Sequence, residues 1–551
     1  MITTLFVLLG WAGPARTLLT GEVLMTVPTS YPGVYIQELP NLVHTITPAP
    51  TSVAVFVGYT HPFRTREFGA AVRLFSFADY QASFGGFFAS PWQPDYVGRA
   101  VYQFFLNGGQ TCYVVGLQAT QYYTDSGSPP ELTPHGPVAP ASVTAGGITF
   151  TALQPTGTSD EGIPMQVAIS NVKQTSSPDD TADIVVSYGS TVETYRKVQI
   201  GALETTLAGS SLVTATLASP PPTGFPGTGS PFSLGYGSGD EPPAAGGTVI
   251  NPVDFAPVFA DHASLDKVPV FSLLATPGIT DPGVTSEAVA YCERKRAFYI
   301  MDTPSPQTSG WDVNTVAGDL SLATALSPEP PVSTNAAVYY PWLVTTDPVT
   351  GTQETSPPSG FVAGIYGQVD TTQGVWRSPA GVQTTLLGTT GVDPAGVMTD
   401  PQQGVLNTSA VNCLRQFPGV GTVVFGARTT AGADANTAQQ QWKYVAVRRM
   451  ALFLEQTLYA SLTWAVFEPN AAPLWSALTQ EVTAFMLSLF RQGAFAGSTP
   501  SQAFVVQCDA TTTTPQDVAS GVVNLLVGFA PLVPAEFVVV RIAQLAGQAQ
   551  S

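Results

Sequence analysis

A chain of 551 residues is long enough for more than one domain, about three by the usual length prior, and its 20 Lys and Arg against 38 Asp and Glu leave a net charge of −18. That balance argues against a nucleic-acid partner and against docking or insertion at an anionic membrane, because both call for basic surface. Only 11% of residues are charged, and 52 Gly with 48 Pro imply many turns and loops. A solvated acidic surface is the plain reading, and a face complementary to a basic partner is the sharper one.

Met1–Leu24 contains an apolar run from Thr4 to Gly10 followed by Trp11, but Arg16 comes after that run rather than before it. The run is also too short to span a bilayer. The expectation is an upstream extension that is not native to the folded protein, with a weak signal peptide as the alternative. No stretch reaches 18 uninterrupted apolar residues, so no transmembrane helix is predicted.

Tyr31–Pro40 alternates Val34 and Ile36 against Tyr35 and Gln37 and is closed by prolines, which predicts a short isolated strand. Thr51–Thr60 is denser in β-branched and aromatic residues and reads as a central strand. Leu74–Tyr80 leads into a helix capped near Asp79. Asp95–Asn107 is helical with Gly108 and Gly109 as its stop, and Cys112–Leu117 is the next strand. This alternation predicts an α/β unit.

Gln121–Gly247 differs in kind, being rich in Ser, Thr, Gly and Pro. Its strand-like pieces are Ile148–Ala152, Met165–Ile169, Asp183–Tyr188 and Thr194–Ile200, which predict an inserted all-β domain. Gly235, Gly237 and Gly239 superficially suggest a phosphate loop, but no strand precedes them, no helix follows and no Lys is present. The α/β grammar then returns. Val268–Ala275 and Ala297–Asp302 read as strands, Thr285–Lys295 as a helix with a Ser/Thr cap, and Val338–Val344 as a strand interrupted by Pro341.

Near the C-terminus, Arg448–Trp464 places Leu452, Phe453, Leu458, Tyr459 and Leu462 on one helical stripe. A second helix carries Leu474, Leu478, Val482, Phe485, Met486 and Leu489 at the same spacing and ends at Gly493 and Gly497. Phe504–Gln507, Gly521–Val527 and Phe537–Ile542 read as strands, with Pro531 and Pro534 separating the last two.

No catalytic constellation emerges. His44, His61, His135 and His262 lack metal-ligand spacing and read as isolated loop or surface residues, and Cys112, Cys292, Cys413 and Cys508 are scattered without a CxxC. Reduced thiols packed in a core fit that pattern. There is no G-x-S-x-G elbow and no nucleotide-binding loop. Glu455, Glu468 and Glu481 are too far apart for an inferred pair, and Arg294, Lys295 and Arg296 end a helix where the macrodipole favours them. No enzyme, metal or cofactor is expected.

The run VRRMALFLEQTLYASLTWAVFEPNAAPLW, then FRQGAFAGSTPSQAFVVQCD and VGFAPLVPAEFVVVRI, resembles the C-terminal domain of the contractile tail sheath family. That family comprises proteins of phage tails, R-type tailocins and extracellular contractile injection systems. The opening PGVY, the TSVAVFVG strand, the NGG–CYVV step, SGFVAGIYGQVDTTQGVWRSPAG and LNTSAVNCLRQFPGVGTVVFGART follow the family in the same order, and family-like sequence starts at Met25. The expected layout is a mixed α/β multi-domain subunit. An extension at 1–24 and an arm at 25–50 precede α/β parts at 51–120 and 251–430, which an all-β insertion at 121–250 separates; a C-terminal domain at 431–551 ends in a strand arm.

Lone strands leave unpaired backbone groups that seek a partner. The resemblance implies that the arm strands at Tyr31, Val34, Tyr35 and Ile36 and at Phe537, Val538, Val539, Val540 and Ile542 are exchanged between subunits; pairing within one subunit is the alternative. It implies a helical homopolymer around an inner tube, with baseplate and terminator or cap proteins as further partners, which contracts without nucleotide hydrolysis. Leu474, Ser476, Gln480, Glu481 and Arg491 are the candidate tube-facing residues. Assembly in a bacterial cytoplasm and release as part of a phage tail or tail-like particle are expected. The competing reading is a secreted acidic β-rich adhesin or carbohydrate-binding protein.

Overall fold

The structure is a computed structural model that describes residues 45–537 apart from 91–92, 125–130, 135–137, 157–164, 175–179, 228–230, 237–250, 309, 319–329 and 349–350. Met1–Leu24, the Tyr31–Pro40 strand with Tyr31, Val34, Tyr35 and Ile36, and Val538, Val539, Val540 and Ile542 lie outside the described residues, as do His44 and His135.

Strand β1 (Val53–Tyr59) buries six of its seven residues. Val55 and Val57 face one core, and Ala54 and Phe56 the other. Such two-sided burial is what a β-branched run without polar alternation encodes. β1 lies parallel between β3 (Thr111–Leu117) and β4 (Leu273–Ala275). The sheet continues in parallel through β5 (Phe298–Asp302), β6 (Ala336–Tyr340) and β7 (Val411–Phe417). β2 (Ala71–Leu74) and β8 (Gly421–Val424) close its two edges antiparallel, completing eight strands.

Helices cover both faces. α1 (Phe77–Phe84) starts where Ser76 Oγ accepts from Asp79 N at 3.2 Å, and α2 (Tyr96–Leu106) where Asp95 Oδ1 accepts from Gly98 N at 3.2 Å. α3 (Pro252–Phe259) and α4 (Pro282–Lys295) pack on the Val55 face, α2 and α5 (Ser359–Gln373) pack on the Phe56 face, and α6 (Asp400–Thr408) packs against β7. α5 and α2 touch backbone to backbone: a Cβ on Gly360 would stand 2.4 Å from Ala100 Cα, and one on Gly364 2.8 Å from Phe104 O. The N-terminus of α5 is held by Asp302 at the end of β5, which accepts from Ser359 N (2.8 Å), Ser359 Oγ (2.7 Å) and Gly278 N (2.9 Å).

Three expectations in this region need correction. The strand expected over Val268–Ala275 is confined to Leu273–Ala275. α4 begins at Pro282 with Asp281, not a Ser or Thr, as its cap, and two N–H groups donate to Asp281 Oδ1. Val338–Val344 is interrupted at Pro341 as expected, since proline has no N–H to offer a ladder, but the piece beyond it belongs to a different strand: Leu343–Thr346 joins a separate three-stranded sheet with Gln353–Ser356 and Gly391–Val392.

Between β3 and α3 the chain forms a four-stranded sheet (Thr191–Gln199, Thr181–Tyr188, Met165–Lys173, Phe232–Ser233) and a three-stranded one (Val213–Leu217, Ile148–Ala152, Ser142–Ala145) around a core of its own. Alternation such as Ile184, Val186 and Tyr188 inward fills that core. It is fastened to the α/β part by polar contacts. The Tyr188 hydroxyl lies 3.0 Å from Ala89 O, and His61 Nε2 meets Gln154 Oε1 at 3.0 Å; within the inserted part the same hydroxyl lies 2.6 Å from Pro155 O.

Candidate assembly interface

α7 (Val445–Ser461) joins the large sheet to the C-terminal region. Val445 and Leu452 belong to the Phe56-side core, while Met450, Phe453 and Leu454 belong to a C-terminal cluster. At the junction the buried Arg449 donates to Asp370 at 2.9 and 2.6 Å and to Thr51 O at 2.9 Å. Burial pushes the Asp370 carboxyl up despite the guanidinium beside it. Tyr459, placed on the apolar stripe by spacing, is instead exposed, with the Arg296 guanidinium 4.5 Å from its ring centre.

α8 (Ala472–Arg491) follows, and its apolar stripe is buried as the spacing predicts. It packs with a two-stranded antiparallel sheet, Phe504–Gln507 against Leu526–Phe529, in the register Phe504 to Phe529 through Gln507 to Leu526. The expected strand over Gly521–Val527 starts late, because Gly521 at φ 72° turns the chain and Asn524 N donates to Thr513 Oγ1 at 3.0 Å. Among the described residues no third strand pairs with either edge of this sheet. Val505 is 50% exposed and Leu526 53%.

The first and last described residues both lie in this neighbourhood. Residues 45–51 run along α7: Ile46 is buried in the C-terminal cluster, Ala49 N donates to Thr457 Oγ1 at 3.0 Å, and Ser461 Oγ donates to Thr47 O at 3.3 Å. At the other end Ala530 N donates to Ala503 O at 2.8 Å, Ala530 O accepts from Ala496 N at 2.9 Å, and the described chain stops at exposed Phe537. Phe537 is the one member of the expected C-terminal strand within the described residues, and it is assigned no strand.

The candidate tube-facing residues separate into two groups. Leu474 and Glu481 are buried at 7% and 9% exposure, on the same side of α8 as Leu478, so neither offers a surface. Ser476, Gln480 and Arg491 are exposed on the opposite side, at helical spacing with Ala484 and Ser488. Sequence reasoning missed the loop ahead of α8, where Phe467 is fully exposed at φ 74° beside a cavity of 530 Å³ lined partly by Leu474, Leu478 and Leu525.

The titratable groups serve the fold. His61 lies in the loop after β1, one of the two expected settings, but is buried rather than at the surface, and burial takes its pKa down to about 4. Burial raises Asp95 to about 7 against the pull of Arg99, and Asp302 to about 6 against its three donors. All four cysteines are buried free thiols. Arg294 pairs with Asp261 at 3.1 Å and Lys295 with Asp266 at 2.7 Å, so this basic helix end is spent on local contacts. Among the described residues no group of three His, Cys, Asp or Glu could hold a metal ion.

Residues 263–430 match the phage tail sheath protein central domain, and residues 437–544 match the phage tail sheath C-terminal domain, together half of the chain. No curated protein sequence matches. Among solved structures, the chain is similar to the sheath of an extracellular contractile injection system, PVC, in its contracted state, at 22% identity and TM-score 0.54 over 94% of this chain and 99% of that one. It is likewise similar to the contracted helical sheath of the anti-feeding prophage, at 22% identity and TM-score 0.53 over 94% and 100%. The sheath tail protein of Desulfitobacterium hafniense shares 15% identity at TM-score 0.50 over 86% and 93%. With two consecutive family domains matched in order, and the same fold in solved sheath proteins, the chain belongs to the contractile tail sheath family.

Proposed function

We propose that copies of this chain build a contractile sheath as a helical polymer around an inner tube, joined by exchange of the strands at their two ends. The chain is a structural sheath subunit by family, and the adhesin reading is left without support. The observation that carries the strand exchange is the two-stranded sheet of Phe504–Gln507 and Leu526–Phe529. A pair of strands is marginal by itself and has two outer edges with backbone groups to satisfy. The β-prone segments around Tyr31, Val34, Tyr35 and Ile36 and around Val538, Val539, Val540 and Ile542 supply complementary ladders. Joints made of backbone hydrogen bonds tolerate reorientation of the rigid bodies they connect, so the lattice can pass between two packings with its connectivity intact.

Contraction in this scheme draws on new contacts between subunits, with no nucleotide consumed. The exposed strip of Ser476, Gln480 and Arg491 is the surface offered to the tube, and baseplate and terminator proteins cap the ends. Assembly in the cytoplasm precedes release as part of a phage tail or tail-like particle. The test is negative-stain electron microscopy of the purified chain. Hollow ribbed tubes are expected, and dispersed monomers at high concentration would overturn the reading.

A further inference from the structure

Arg428 follows β8 and is 1% exposed at its side chain, yet much of its bonding capacity goes to a residue 108 positions later. Its Nε and Nη2 donate to the two oxygens of Glu536 at 2.7 and 2.9 Å, a two-point grip that holds a carboxylate in one orientation. Nη1 donates to Asn407 O at 2.7 Å and to Asp434 Oδ1 at 3.0 Å. Glu536 also accepts from Asn407 Nδ2 at 2.7 Å and from the Tyr444 hydroxyl at 3.0 Å, while Lys443 Nζ pairs with Asp434 at 2.7 Å. Two cations and two carboxylates balance. Burial opposes the charge on Glu536, but the donors from Arg428 and Asn407 outweigh it and hold the carboxyl below its usual range.

These partners sit at the edge of the large sheet: Asn407 on the helix Asp400–Thr408 that packs against β7, Arg428 just beyond β8. Residues 530–536 therefore form a strap from the two-stranded sheet back to the α/β part, roughly 20 Å long if extended at about 3.3 Å per residue. Along the way Leu532–Ala535 line a cavity of 270 Å³ beside Trp376 and Arg377. Immediately past Glu536, Phe537 is 73% exposed.

We propose that Arg428 and Glu536 are positioning residues that anchor the root of the C-terminal arm to the large sheet, fixing where the exchanged strand leaves the subunit. The inference rests on the strand-exchange reading for its purpose, though the anchorage can be measured without it. An arm that couples neighbours must pass tension into a rigid body, and a pinned root prevents the strap from peeling off its own subunit first. Without Glu536, Arg428 keeps Asp434 and Asn407 O, so its charge stays paired and the subunit is expected to remain folded.

The experiment compares full-length wild type with Glu536→Gln, Glu536→Ala and Arg428→Lys. Protease trimming of the C-terminal segment is followed in unassembled subunits, and the threshold concentration for tube formation by sedimentation. Glu536→Ala is expected to keep its circular dichroism spectrum, to be trimmed about tenfold faster and to need about tenfold more protein to assemble, the equivalent of roughly 1.4 kcal/mol. Glu536→Gln keeps the shape and loses the charge, and Arg428→Lys keeps the charge and loses the two-point grip, so both should fall between. Unchanged trimming in Glu536→Ala and Glu536→Gln overturns the anchorage, as does global unfolding of both. If wild type forms no tubes the sheath reading fails, while the trimming rates still decide the anchorage.

Discussion

The eight-stranded sheet and the two-stranded sheet are written in similar residues and end in opposite states. Val53–Tyr59 finds a parallel partner on each side and helices on each face, and six of its seven residues are buried. Phe504–Gln507 is just as rich in aromatic and β-branched residues, yet none of its four is buried, and neither are any of Leu526–Phe529. The difference lies in how many neighbours the described residues supply. A strand propensity states what backbone geometry a segment prefers, whereas completion of the sheet depends on partners that can come from another copy.

The largest effect should come from withholding those partners. Starting the chain at Asn41, or ending it after Pro534, is expected to abolish tube formation while circular dichroism still reports a folded subunit. Val34→Pro is the milder form, removing one ladder donor. Normal tubes from either truncation would sink the exchange mechanism, and outright unfolding of the Asn41 form would return that strand to its own subunit.

Much of the large sheet was legible because its signals are local: β-branched runs at Val53–Tyr59 and Phe298–Asp302, and an Asp cap with a Gly-Gly stop around Tyr96–Leu106. What escaped depends on packing between distant segments. α5 escapes a helix reading because Gly360, Gly364 and Gly367 dilute its pattern; Gly360 and Gly364 are there for the close crossing with α2, and Gly367 sits against the Gly108–Gly109 turn that follows it. Leu474 does not belong in the tube-facing set because it already stands in the apolar stripe, and Glu481 is buried beside that stripe because periodicity defines a stripe without saying how wide the covered face will be. The Arg428–Glu536 pair left no trace at all, since no spacing rule links residues 108 positions apart.

A second way to stress the comparison is to cut the link between the two regions. Arg449→Met leaves Asp370 buried without its bidentate partner and frees Thr51 O, and should cost about 3–5 kcal/mol in urea-induced unfolding. A value near zero would mean that apolar packing by α7 alone unites the regions. Smaller again is the pH effect of the carboxylates at the end of the large sheet. Asp95 at about 7 and Asp302 at about 6 are raised above the unfolded value, so the folded state holds more protons between about pH 4 and 7. Their contribution is fully present below that window and declines as pH rises through it. Asp95→Asn should flatten the fall in unfolding midpoint between about pH 4 and 7. Arg99 and Asp347 face the same carboxyl, so an unaltered slope in the variant would shift the effect to other groups.

The smallest effect makes the sharpest comparison, because one substitution is placed in both sheets. Val57→Thr puts a hydroxyl into a fully buried site between β-strand and helices, where an unmet hydrogen bond costs about 1–3 kcal/mol. Val505→Thr changes a half-exposed side chain, which should alter subunit stability by less than about 0.5 kcal/mol. In assembled tubes the ranking should narrow: if neighbouring arms cover Val505, its substitution acquires an assembly penalty that the free subunit never shows. Equal costs for Val505→Thr in free subunits and in tubes would mean that this face stays open to solvent in the polymer, and that the two-stranded sheet is augmented only at its edges.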